Sequence, residues 1–115
     1  MTLKDKAFLS YNIAVDKKAV DIVVLDIIGY SSVADIFMIC SGTSLRQVQA
    51  IADAIEEGMR KKGIKCHHME GYRTGRWILM DYSDMVIHIF YQETREFYDL
   101  ERLWGDASSI IFDSV

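Results

Sequence analysis

At 115 residues, with 50% of them apolar and 26% charged, the chain has the size and composition of one globular domain. It is too hydrophobic to be disordered, and its apolar runs fall well short of the roughly 20 residues of a membrane helix. Net charge is −4 with a pI near 5.3; domains that bind nucleic acid through phosphates are usually basic, so this balance argues against such a role and fits a basic protein partner better.

The opening Met1-Thr2-Leu3-Lys4-Asp5-Lys6 has no apolar signal core and no Arg-rich, acid-poor pattern. Leu3, Ala7, Tyr11, Ala14 and Val15 then recur at helical spacing, which predicts a helix over residues 3–18. Residues 21–28 are rich in Val and Ile and read as a strand closed by Gly29. Residues 31–34 read as a turn or short helical piece, and residues 35–41 as a second strand. Both strands are almost continuously apolar, as expected where both faces are covered.

Ser41-Gly42-Thr43-Ser44 opens the clearest helix. Ser44 and Gln47 have the spacing at which the hydroxyl accepts from an orphan N–H while Gln reaches back to the cap. Val48, Ile51, Ala52, Ile55 and Met59 form one apolar stripe, Lys61 and Lys62 complement the C-terminus, and Gly63 suits the residue just beyond it. Residues 64–69 predict a short strand and residues 70–76 a loop. Residues 77–82 and 85–91 predict two strands joined by a tight turn at Ser83-Asp84. A last helix starts near Thr94, carries Phe97, Leu100 and Trp104 at helical spacing and ends at Gly105; residues 107–115 have no clear assignment. No proline, linker or repeat divides the chain. The order α-β-β-α-β-β-β-α predicts one α/β (α+β) domain with a mixed sheet flanked by helices.

The residues that could carry chemistry have plainer readings beside them. The Ser41–Ser44 turn could hold an anion at a helix start, but it matches neither the P-loop nor the dinucleotide fingerprint and also reads as an ordinary cap. A nucleotidyltransferase needs two carboxylates two apart on a strand; Asp81 and Asp84 are separated by a turn, and Asp99 and Glu101 lie on a predicted helix where that spacing diverges. In Cys66-His67-His68 only Cys66 and His68 could share a metal, and no second ligand pair follows. The two cysteines, Cys40 and Cys66, suggest no disulfide framework, so a reducing cytoplasm is expected. His88, between Ile87 and Ile89, reads as a hydrogen-bonded core residue. Trp77, Leu79 and Asp81 share one face of their strand. Trp77 after Arg76 resembles an interface centre, although by composition alone a core residue is the plainer reading.

Taken in order, several motifs resemble the Iojap family of ribosome-silencing factors. They are Lys18-Ala19-Val20-Asp21-Ile22, Leu25-Asp26, Ser31-Ser32 with Asp35, Ser41-Gly42-Thr43-Ser44 with Gln47-Val48, Ala50-Ile51-Ala52-Asp53 and Glu70-Gly71. Trp77 through Tyr82, Asp84 through Phe90 and Arg95 through Trp104 complete the set. Each is weak alone; their order and spacing are specific. The resemblance covers residues 3–107, implying a factor domain over 1–107 and a tail over 108–115. It implies a five-stranded mixed sheet of nucleotidyltransferase-like fold without the catalytic carboxylates, and a homodimer with no enzyme activity and no cofactor. It further implies binding to the large ribosomal subunit through large-subunit ribosomal protein fourteen, a basic protein, with steric block of subunit joining when nutrients are scarce. Contact with ribosomal RNA would be peripheral at most, and no membrane is involved. On this basis the loop residues Glu70, Tyr72, Arg73 and Arg76 and the strand residues Trp77, Leu79 and Asp81 are the expected partner surface. Trp77 and Leu79 would be the apolar anchor and Glu70 and Asp81 would meet basic groups. Tyr98 and Glu101 are further candidates, for which helix packing and a solvated face are the plainer readings.

Overall fold

The computed structural model describes residues 2–29, 34–98 and 108–110, with backbone alone for 96–98 and 108–109. Its elements are α1 (Leu3–Asp16), β1 (Val20–Asp26), β2 (Ile36–Gly42), α2 (Leu45–Lys61), β3 (His68–Glu70), β4 (Trp77–Asp81), β5 (Met85–Tyr91), α3 (Gln92–Tyr98) and β6 (Ser108–Ser109). The strands form one mixed sheet in the order β3-β4-β5-β2-β1-β6. Only β2 and β5 run parallel; every other neighbouring pair is antiparallel. The five main strands are those expected from the apolar runs. The sixth is two residues of the tail, paired with Leu25 and Asp26.

Alternation along the strands divides the side chains between two faces. Met38, Cys40, Ile78, Met80, Met85, Ile87 and Ile89 point to one face and are fully buried with Ala7 and Ala14 of α1 and the Val48, Ile51, Ala52, Ile55, Met59 stripe of α2. Leu25, Ile27, Phe37, Ile39, Val86 and Phe90 form a second cluster on the opposite face, with Trp77 and Leu79 packed against it. The central β2 is buried throughout, as its unbroken apolar run predicts, whereas β1 is covered only in part.

The helix ends follow local chemistry. Thr2 caps α1 and Asp5 reaches back to the Thr2 N–H at 3.0 Å. The helix stops at Asp16, two residues before the sequence suggests. Lys17 still bonds Ile13, but Lys18 turns into the left-handed region at φ 65°. Ser44 accepts from Gln47 N–H at 3.0 Å, as the spacing predicts. Gln47 reaches back differently from that prediction. Its Oε1 accepts from the N–H and hydroxyl of Thr43, one residue before the cap, while its Nε2 donates to the Lys17 and Lys18 carbonyls that end α1. One side chain thus ties the start of α2 to the end of α1.

At the other end of α2, Gly63 N–H donates to Arg60 and Ile64 N–H to Met59, a Schellman closure with Gly63 at φ 78°. That closure takes up Ile64, so the strand expected over 64–69 shrinks to His68–Glu70. α3 begins at Gln92, two residues early. Arg95 donates to the Asp21 carbonyl at the irregular start of β1 and to Ser41 Oγ at 3.0 Å. Leu100, Trp104 and Gly105 lie outside the described residues, as do residues 31–33.

Candidate functional site

β4 places its residues as strand alternation dictates: Ile78 and Met80 are buried against the helices, while Trp77, Leu79 and Asp81 are half-buried on the other face. In the register with β3, Glu70 lies opposite Leu79 and His68 opposite Asp81. Directly paired residues share a face, so Glu70 and His68 extend the Trp77–Leu79 stripe toward the sheet edge. They are tied to each other, His68 Nε2 to Glu70 Oε1 at 2.9 Å. Four of the expected residues, Glu70, Trp77, Leu79 and Asp81, therefore come together.

The loop residues go elsewhere. Tyr72 donates from its hydroxyl to Asp53 Oδ2 at 2.9 Å, and Gln49 Nε2 donates to the Tyr72 and Arg73 carbonyls, so this stretch is fastened to the outer side of α2. The bond to Asp53 also raises the Tyr72 phenol above its ordinary pKa. The Arg73 and Arg76 side chains are exposed, and the Arg76 carbonyl accepts from Tyr91 N–H at 2.9 Å. Gly71 lets the loop turn: at φ 81°, a Cβ there would sit 2.0 Å from the Trp77 carbonyl oxygen. Tyr98 ends α3 without a described side chain, and Glu101 lies outside the described residues.

The sequence places Trp77 on one strand face with Leu79 and Asp81 but does not show what holds it. Trp77 pairs directly with Phe90 and lies diagonally from His88, within reach of an aromatic ring. Its indole Nε1 donates to His88 Nδ1 at 3.0 Å and its ring stacks on Phe90 at 5.1 Å. His88 in turn meets Phe37 edge-on at 4.9 Å. An acceptor at Nδ1 requires the proton on Nε2, and burial holds the imidazole neutral, its pKa lowered to about 4. Nε2 has no partner among the described residues. Asp81 is also partly committed, accepting from Ser83 N–H at 2.7 Å and closing the β4–β5 turn, where Ser83 sits at φ 73°.

The chemistry available elsewhere is slight. The Ser41–Ser44 turn spends its Thr43 N–H on Gln47 and its Ser44 hydroxyl on the helix start, so it serves as a cap and a helix tie. Among the described residues no three His, Cys, Asp or Glu side chains gather as a metal site. Burial pushes the Cys40 thiol up to about 12 and raises that of Cys66, so neither is activated as a thiolate. Among the described residues no helix is long and apolar enough to cross a membrane.

Comparison with known proteins gives one consistent result. Residues 2–115 match the family model described as "Ribosomal silencing factor during starvation". A ribosomal silencing factor RsfS of Halalkalibacterium halodurans is 43% identical over 107 residues, covering 93% of this chain and 92% of that protein. Its counterpart in Bacillus subtilis is 50% identical over 92 residues, covering 80% and 78%. A crystal structure of a Bacillus halodurans protein superposes with a TM-score of 0.85 at 38% identity, covering 95% of this chain and 99% of that one.

Proposed function

The chain belongs to the ribosomal silencing factor family, and on that premise we propose that it binds the large ribosomal subunit and sterically blocks association with the small one, repressing translation under nutrient limitation. The proposed contact is large-subunit ribosomal protein fourteen. The observation that carries this reading is the half-buried Trp77–Leu79 stripe flanked by Glu70 and Asp81. An apolar anchor rimmed by carboxylates suits a basic protein surface, and Trp is enriched among residues that dominate such interfaces. Arg73 and Arg76, exposed in the loop that leads into β4, are rim candidates in this reading; Tyr72, fastened to α2 across the sheet, is a separate candidate, and Tyr98 and Glu101 are the outer ones. The acidic net charge leaves ribosomal RNA at most a peripheral contact. The factor acts in the cytoplasm as a homodimer, with residues 1–107 as its domain and 108–115 as its tail, and performs no catalytic step.

Sedimentation through a sucrose gradient with separated subunits, before and after they are mixed, tests this. The expected result is co-migration with the large subunit alone and loss of the joined peak. Protein left at the top of the gradient with undisturbed joining would sink the reading.

A further inference from the structure

We infer that His88 is a positioning residue for the Trp77 anchor, its Nδ1 holding the indole in one orientation against Phe90 before any partner arrives. The inference rests on the proposed docking role of Trp77. It is carried by a conflict within the core. His88 is 5% exposed, in a strand whose neighbours on both faces are Ile, Val and Phe. Because Nδ1 receives the Trp77 N–H, the proton must sit on Nε2, where no described residue accepts it. A buried donor without a partner destabilises the fold. A phenylalanine would fill the same space against Phe37 and Phe90 without a buried Nε2–H, at the expense of the acceptor for the part-exposed indole N–H.

What the imidazole supplies, and an apolar ring would not, is the acceptor at 3.0 Å from the indole nitrogen. The hydrogen bond at its N–H and the stack on Phe90, with planes 22° apart, both hold the Trp77 ring. A half-exposed anchor fixed in this way loses little side-chain freedom on docking, so more of its burial appears as affinity. Leu79, directly opposite His88, shields the pair from the β3 side.

The test measures affinity of the full chain for purified large ribosomal subunits, beside the indole N–H resonance in the free protein. His88→Phe should melt no lower than the parent at neutral pH, shift the indole resonance and bind roughly fivefold to tenfold more weakly. His88→Asn, whose Oδ1 offers an acceptor near the same place, should restore both the resonance and much of the affinity. If His88→Phe does not fold, His88→Leu makes the same comparison. Should Trp77→Ala bind weakly while His88→Phe binds like the parent, the anchor needs no positioning and the inference falls alone. Should Trp77→Ala itself bind like the parent, the docking reading falls first and takes the inference with it.

Discussion

On β5, Ile87 and Ile89 point toward the helices while His88 and Phe90 point to the opposite face, and different chemistry packs the two sides of that one strand. The helix side is aliphatic and methionine-rich. The polar side chain buried there, Ser10, satisfies itself on the Ala7 carbonyl of its own helix at 3.0 Å. The other side is aromatic and hydrogen-bonded: Trp77 to His88, Arg95 to Ser41, rings stacked on Phe90. The first face packs the sheet against α1 and α2. The second keeps a buried imidazole and a half-buried Trp and Leu, features a face built for stability alone would replace with apolar side chains.

Substitution at adjacent β5 positions should separate these roles. Ile87→Ala opens a cavity in a fully buried site and should cost about 3 kcal/mol in denaturant unfolding, while the folded fraction binds ribosomes as before. His88→Phe should act on the pH dependence instead. The folded chain holds His88 neutral down to about pH 4, while the unfolded chain binds the proton from about pH 6.5 downward. Stability is therefore fully present above ~6.5 and is lost as pH falls toward ~4, by on the order of 3 kcal/mol from this residue. His88→Phe should flatten that part of the curve; equal slopes for the two proteins between pH 7 and 4 would mean His88 is not held neutral. Ser44→Ala, which removes the cap joining β2 to the helix layer, should cost about 1 kcal/mol in thermal unfolding and leave ribosome binding unchanged.

The helix face was legible in the sequence because it obeys simple periods. The α2 stripe, the unbroken β2 run and the Ser83-Asp84 hairpin each follow from local pattern, and each appears in the structure. What escaped depends on register or distance. Gln47 reaches carbonyls 29 and 30 residues away, and Trp77 meets His88 only once β4 and β5 are aligned. Tyr72 and Trp77, five residues apart, read as one surface in the sequence. The Gly71 turn sends the first to α2 and the second to the opposite face of the sheet.

The most direct measurement compares two partly exposed aromatic residues on opposite sides of the sheet, Trp77 on β4 and Phe8 on α1. Affinity for purified large subunits should fall roughly thirtyfold or more for Trp77→Ala and stay within about twofold for Phe8→Ala, with both variants folded by thermal melting. Undiminished binding by Trp77→Ala, or a greater loss for Phe8→Ala, would place the ribosome contact on the helix side and contradict the account.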